Sequence, residues 1–255
     1  MAVPTTPPRL AAVAAAVAVA CASTLLAAGS AFAQTCEVRS GPKPLAVVEL
    51  YTSEGCSSCP PADRWLSTLK TQDKVLALSF HVNYWNHLGW RDPFATTETT
   101  ARQYRLKEAL RGKYVYTPQV VLNGSDHRDW QGQSASNMAG LPAAGAPVLR
   151  LSRVGDVITA QIAAVPGTEL AGYWAVLQDG LVSKVTRGEN AGENLRHDHV
   201  VSRYQPVPPW TAAQGGTTHA TQLTLLPGSA QRVAFVVTNA GLTQPVQALV
   251  LQCPA

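Results

Sequence analysis

The sequence predicts an α/β (α+β) domain followed by an antiparallel, sandwich-like β region. Between residues 45 and 124, strand-like apolar runs alternate with helix-compatible segments, an order that gives a partly parallel sheet covered by helices. A Cys-x-x-Cys motif stands between the first of these strands and the first helix. Beyond about Asn137, short alternating runs separated by turn residues replace this order, as in antiparallel β structure.

The N-terminal residues have the features of an export signal. Arg9 is the only charged residue before Glu37, and it precedes an apolar run over residues 10–28. Ala31-Phe32-Ala33 then supplies the small-x-small pattern of a cleavage site. We expect a signal peptide over residues 1–33 and a periplasmic or secreted mature protein. An uncleaved anchor is the alternative, because the run is just long enough to span a bilayer.

A change in composition and a Gly/Pro/Ala-rich linker at residues 139–147 divide the mature chain into two predicted domains. We expect an α/β domain over 34–140 and a β-rich C-terminal domain over 141–255. The formal net charge is only +4 and the basic residues are scattered, so nothing indicates a nucleic-acid partner. No later segment is apolar enough to cross a bilayer, so we expect no membrane partner after cleavage.

The N-terminal elements follow from their apolar patterns. Residues 45–52 are apolar, β-branched and aromatic, which predicts a buried strand. Pro60-Pro61 then opens a helix, since proline is tolerated in a first turn. Residues 75–82 predict a second strand and residues 97–111 a second helix. Residues 116–124 predict a loop, a strand and a turn.

The C-terminal elements are predicted from short alternating runs. Two hairpins are expected, one at residues 148–163 around Gly155-Asp156 and one at residues 173–186 around Asp179-Gly180. Three more strands are expected at residues 219–226, 233–238 and 246–251.

The cysteines indicate disulfides. Cys21 leaves with the signal peptide, and an even number remains: Cys36, Cys56, Cys59 and Cys253. An even number in an exported chain favours disulfide bonds. Cys36 and Cys253, at the two ends, are natural partners for a structural disulfide. Four thiols on one zinc ion are less favoured, because the second pair lacks the short spacing of such sites.

The Cys56-Ser57-Ser58-Cys59 motif indicates redox chemistry because a helix N-terminus favours the thiolate form of a cysteine. Cys56 is the expected attacking residue and Cys59 the resolving one. A helix that begins only at Pro60 would give Cys59 the larger share of the dipole and make this assignment doubtful. A static disulfide is the other interpretation of the pair.

The motif and its flanks resemble thioredoxins. Residues 47–52 followed by the cysteine motif are similar to the first strand and active-site turn of that family, and Thr117-Pro118 is similar to its cis-proline loop. The resemblance implies a thioredoxin-like fold in which cis Pro118, flanked by Thr117, binds substrate backbone. It also implies that Glu49 is a catalytic residue that relays a proton for Cys59, although Glu49 lies one residue further from the motif. A partly exposed edge residue is the alternative for Glu49.

A wider pattern resembles exported bacterial proteins catalogued as domain of unknown function 1223. The matching stretches span nearly the whole mature chain and lie at residues 49–63, 81–85, 88–94, 187–190 and 197–199. This resemblance implies a thioredoxin-like fold and no established activity.

The aromatic loop at residues 84–94 has two interpretations. Tyr84 and Trp85 either line a substrate groove beside the cysteines or fill the core. A cysteine pair with a distant histidine can also bind soft copper, and His81 is the best candidate for such a ligand. A hydrogen-bonding strand-end histidine is the favoured interpretation of His81, so no metal site is assigned.

These features together predict an exported thiol–disulfide oxidoreductase. Its partners would be protein thiols or disulfides, it would need no cofactor, and it would act as a monomer. The alternative is a binding module for a metal such as copper, or for a protein, on the same scaffold with a non-catalytic disulfide.

Overall fold

The computed structural model describes residues 1–4, 35–211, 216–222 and 231–253. Apart from its first four residues, the predicted signal peptide over 1–33 lies outside these residues. In the part of the chain that is described, no helix has both the length and the apolar character needed to span a membrane.

The described residues form fourteen strands and two α-helices. The helices are α1 (Pro60–Ser67) and α2 (Thr97–Ala109), and shorter 3₁₀ helices span Tyr84–Leu88 and Ala135–Asn137. The strands are β1 (Thr35–Arg39), β2 (Ala46–Thr52), β3 (Val75–His81), β4 (Gln119–Leu122), β5 (Ser125–Asp126), β6 (Leu149–Val154), β7 (Val157–Ile162), β8 (Glu169–Gln178), β9 (Leu181–Lys184), β10 (Asn194–His197), β11 (Val200–Thr211), β12 (Thr217–Gln222), β13 (Arg232–Asn239) and β14 (Pro245–Leu251).

An eight-stranded sheet joins the two halves of the sequence. Its order is β14-β13-β8-β11-β3-β2-β4-β5. β2 and β3 are parallel, and β11 joins the other side of β3 in parallel, with Val200 opposite Ser79. The remaining pairs are antiparallel.

A second sheet, β1-β6-β7-β12, is antiparallel throughout. Its apolar side chains, such as Leu151 and Ile158, share a core with Trp174 and Phe235 of the large sheet. The two sheets therefore form a sandwich over the C-terminal half. A separate two-stranded ladder pairs β9 with β10.

The two helices cover opposite faces of the large sheet near β2. Leu66 of α1 packs with Val48 and Leu50, whereas Leu106 of α2 packs with Tyr51 on the other face. This separation follows from the two-residue period of β2, which sends successive side chains to opposite faces. The start of α2 is fixed by a capping box between Thr96 and Thr99.

The predicted fold class, an α/β thioredoxin-like domain with a C-terminal antiparallel β region, is wrong. The described residues are 42% strand and 14% helix and are arranged in several sheets, closer to a β-sandwich. Local patterns mark strands but do not specify distant partners. The hairpin at 148–163 is confirmed as β6–β7, but β8 pairs with β11 and β13 instead of β9. The domain boundary at 140/141 stays a prediction.

Cys36 and Cys253 form a disulfide, as expected from their positions. Their Cα atoms are 5.7 Å apart, and the bond joins β1 to the residues just after β14. The cysteines are 217 residues apart in sequence. In the chain-entropy model, closing so long a loop stabilises the fold by about 5 kcal/mol.

Candidate functional site

The Cys56–Cys59 disulfide lies in the loop between β2 and α1. The Cα atoms are 5.5 Å apart. Both cysteines are 0% exposed, whereas Ser57 and Ser58 between them are exposed. The sulfur atoms are therefore closed to solvent in this conformation, although the backbone of the loop reaches the surface.

The helix begins at Pro60, with Cys59 as its N-cap residue. Pro60 and Pro61 have no N–H group, and the next two N–H groups both donate to the carbonyl oxygen of Cys59, at 2.9 and 3.1 Å. The Cys59 side chain makes no capping hydrogen bond. The helix thus offers Cys59 its dipole but few free donors. In the reduced protein the dipole would favour a thiolate at Cys59.

A distant segment, residues 187–190, covers the cysteine loop, and we call it the latch. Glu189 Oε2 accepts hydrogen bonds from the backbone N–H of Ser57 at 2.9 Å and from its hydroxyl at 2.8 Å. These bonds lower the pKa of Glu189. Asn190 Nδ2 donates to the carbonyl oxygens of Glu54 and Cys56, both at 2.9 Å. The latch therefore holds the loop from both its exposed and its buried side.

Trp85 joins the cysteine loop to Thr117-Pro118. Gly55 approaches so closely that an added Cβ would lie 2.9 Å from Trp85 Cβ. On its other side, Trp85 Nε1 donates to Thr117 Oγ1 at 2.7 Å, and the Thr117–Pro118 peptide bond is cis. Tyr84 is held by a hydrogen bond from its hydroxyl to Gln103 at 3.2 Å, and burial raises its pKa to about 12. Tyr84 and Trp85 are half-buried, so they both pack on the core and border the loop.

Glu49 is not brought to the cysteines. It is only 3% exposed and accepts hydrogen bonds from Tyr51 at 2.6 Å and Tyr173 at 2.9 Å, besides a close ion pair with Arg102. These partners lie on the α2 face of the sheet, opposite α1. The carboxylate of Glu49 instead balances the charge of the buried Arg102 guanidinium. Burial lowers the pKa of Arg102, but the negative charge of Glu49 raises it, and the net change is a rise.

A cluster of buried carboxylates and imidazoles lies next to the cysteine loop. His81 Nδ1 lies 2.7 Å from Asp92 Oδ2, and that same oxygen accepts the backbone N–H of Glu54 at 2.9 Å. Burial opposes ionisation of Asp92, but the interaction with His81 and the hydrogen bonds from the backbone N–H groups of Glu54 and Phe94 together lower the pKa of Asp92. The imidazole rings of His81 and His197 are nearly perpendicular, with centroids 4.7 Å apart.

His197 lies between two further carboxylates. Its Nε2 is 3.0 Å from Glu54 Oε1, and its Nδ1 is 3.8 Å from Asp63 Oδ1. Burial alone would lower the pKa of His197, but the interactions with Asp63 and Glu54 raise it to about 9. Glu54 also accepts a hydrogen bond from Trp90 Nε1 at 2.8 Å, and Asp63 accepts one from Thr52 at 3.0 Å.

Within the described chain, three of these residues are placed to hold a metal ion together. Asp63, His81 and His197 each offer one ligand atom, and all three atoms lie within 4.8 Å of one another.

Most of the sequence matches the model of one protein family. Residues 47–238 match the family described as "Protein of unknown function (DUF1223)". The chain belongs to this family. The matched range contains the cysteine loop, the latch and the whole buried cluster, whereas Cys36 and Cys253 fall outside it.

Two solved structures are similar to this DUF1223 chain. An X-ray crystal structure of an Agrobacterium tumefaciens protein is 30% identical, with a TM-score of 0.62, and the match covers 81% of this chain and 93% of that one. HBP35 of Porphyromonas gingivalis is 16% identical, with a TM-score of 0.56, over 83% of this chain and 76% of that one. The second likeness is one of fold alone. No curated protein matches the sequence.

Sequence reasoning did not assign four members of the buried cluster to the site: Glu54, Asp63, Asp92 and His197. Each lies in one of the stretches that carried the family resemblance, but the stretches come from distant parts of the chain. Only the topology of β3, α1 and β10 brings them together.

Proposed function

We propose that this protein is a thiol–disulfide oxidoreductase of the periplasm or the cell exterior and that its reactive group is the Cys56–Cys59 disulfide. The observation that carries the proposal is the position of this bond, across the N-terminus of α1 and under a latch anchored by side-chain contacts. The export-like N-terminus and the second disulfide support the location.

In the oxidised protein the reaction is two successive thiol–disulfide exchanges. A substrate thiolate attacks Sγ of Cys56, a mixed disulfide forms, and Cys59 leaves as a thiolate favoured by the helix dipole. The second substrate thiol then loses its proton and attacks the substrate sulfur, which releases Cys56. Two electrons pass from the substrate to the cysteine pair, and the substrate becomes a disulfide. In the reverse direction Cys56 attacks a substrate disulfide and Cys59 resolves the intermediate.

The latch controls access to this reaction. Because both cysteines are fully buried, an incoming thiolate reaches Cys56 only after the latch moves away from Ser57. Protein thiols and disulfides are the proposed partners. The surface beside the opened loop carries Trp85, Tyr84 and the Thr117-Pro118 segment, which would hold an extended peptide against the exposed sulfur.

Catalytic turnover tests the proposal. Residues 34–255 are mixed with a fluorescent peptide disulfide in a glutathione buffer, and the rate of peptide reduction is followed. We expect multiple turnovers that are lost in Cys56→Ser. The double variant Cys36→Ser/Cys253→Ser is the matched control and retains the turnover number at a temperature where it is folded. A wild-type rate equal to that of Cys56→Ser would overturn the proposal.

A further inference from the structure

We infer that Asp63, His81 and His197 form a binding site for one divalent first-row transition-metal ion next to the cysteine loop. This site goes beyond the proposed redox function and does not depend on it. Its ligands are carried by three separate elements, α1, β3 and β10.

The first support is a pair of buried imidazole nitrogens that make no hydrogen bond, although His197 Nδ1 lies 3.8 Å from Asp63 Oδ1. His81 Nε2 and His197 Nδ1 make no hydrogen bond to any described residue, and their side chains are 0% and 2% exposed. A buried polar atom without a partner is costly and calls for an explanation. Asp63, His81 and His197 each offer one ligand atom, and these atoms lie within 4.8 Å of one another. Metal bonds of about 2.0–2.2 Å bring ligand atoms roughly 3–4 Å apart, so only small side-chain rotations are needed.

The second support is the set of residues behind these ligands. Asp92 engages His81 through Nδ1, and Glu54 engages His197 through Nε2. Metal-binding histidines are typically held in this way, with a carboxylate on the ring nitrogen that does not bind the metal. Thr52 likewise donates to Asp63 Oδ2, which leaves Oδ1 on the side of His197. Each ligand therefore keeps one ligand atom free of the hydrogen bond that holds its side chain.

The third support is charge. Glu54, Asp63 and Asp92 are nearly fully buried. The ion pairs among the described residues join them to His81 and His197 but to no lysine or arginine. Buried carboxylates need compensating positive charge, which a divalent cation supplies. The ring of Phe94 lies 5.2 Å from that of His81 and 5.5 Å from that of His197 and forms an apolar wall beside both ligands.

The ligand chemistry indicates the class of ion. Two imidazoles and one carboxylate suit Zn²⁺ or Fe²⁺ and do not suit Ca²⁺ or Mg²⁺, which prefer oxygen ligands. Three protein ligands leave a further coordination position for water or another small ligand. The competing interpretation is a metal-free ion cluster in which a protonated His197 bridges Glu54 and Asp63.

Zn²⁺ binding to the disulfide form distinguishes these interpretations. Tag-free residues 34–255 are kept oxidised, so that no cysteine thiolate can bind the metal, and Zn²⁺ is supplied both to the folded protein and during refolding. We expect one Zn²⁺ per chain and at least a tenfold loss of affinity in His81→Gln and in His197→Gln. His87→Gln, which removes an exposed imidazole from the aromatic loop, is the matched control and keeps the wild-type affinity. Equal binding by all four proteins, or no stoichiometric binding by the wild type, overturns the inference.

If the variants do not fold, a measurement on the wild type alone still tests the site. Crystals grown with Zn²⁺ are examined for anomalous scattering at the zinc edge. A peak within bonding distance of Asp63, His81 and His197 supports the site, and peaks confined to the surface overturn it. Neither result depends on turnover at Cys56–Cys59, so failure of this site and failure of the proposed redox function are separate outcomes.

Discussion

The carboxylate of Glu189 accepts two hydrogen bonds from Ser57, a residue 132 positions earlier in the chain. Through this contact the turn between β9 and β10 closes over the loop that carries Cys56 and Cys59. The adjacent Asn190 fixes the same loop from inside, through the carbonyl oxygen of Cys56. Access to the disulfide is therefore linked to the stability of the latch.

Removing the exposed anchor of the latch is expected to speed reduction of the disulfide. Glu189→Ala loses both bonds to Ser57, and we expect the rate of reduction by a thiol to rise about two- to fivefold, as for loss of a surface polar interaction. Glu193→Ala, which removes another exposed carboxylate of the same turn, is the control with unchanged rate. A rate that does not respond to Glu189→Ala would show that the latch does not limit access.

The latch is also expected to respond to acid. The hydrogen bonds from Ser57 lower the pKa of Glu189 below its ordinary value of 4.5. A lowered folded-state pKa means that the contact contributes fully above pH 4.5 and is lost as the pH falls through the folded value. The amide resonance of Ser57 should therefore titrate with a midpoint below 4.5 and lose this titration in Glu189→Gln. A midpoint at or above 4.5 contradicts the contact.

The buried anchor is expected to matter more for stability. Asn190→Ala leaves two loop carbonyl oxygens without their donor, and we expect the free energy of unfolding to fall by about 1–3 kcal/mol. Urea unfolding of the oxidised protein measures this loss. Asn194→Ala, at an exposed position of β10, is the control. Equal stability of the two variants would mean that the Asn190 contacts contribute nothing to the fold.

Glu49 is expected to stabilise the fold without taking part in exchange. Glu49→Gln leaves the Arg102 guanidinium buried without its counter-charge, which costs about 3–5 kcal/mol. Adding Arg102→Met should recover part of this loss. Because Glu49 lies on the α2 face, the pH profile of thiol exchange should stay that of the wild type. A stable Glu49→Gln protein with an altered exchange profile would restore the proton-relay role.

Several elements in both halves of the chain were predictable because their signals are local. The apolar run of β2, the proline pair of α1 and the turn residues of β6–β7 each act within a few residues. The position of β11 was not predictable in this way. Its pairing with β3 joins Val200 to Ser79, and an alternating pattern specifies which side chains are buried but not which strand lies alongside.

The candidate site shows the same contrast between local features, which were predictable, and long-range contacts, which were not. The cysteine motif and its place before a helix were evident from spacing. Glu49 was assigned by resemblance, but the alternation of β2 sends it to the face opposite α1, and Glu54 and Asp63 are the acids next to the loop. His197 enters the site only because the β9–β10 ladder contacts α1, a long-range contact with no local sequence signal.

The reduction potential of the Cys56–Cys59 pair tests the central claim most directly. Residues 34–255 are equilibrated in glutathione buffers, the free thiols are trapped, and their positions are located by mass spectrometry. The proposed function predicts a reversible pair with a potential between about −120 and −270 mV, the range of working oxidoreductases. A pair that stays oxidised below about −300 mV would be a structural disulfide and would contradict the account.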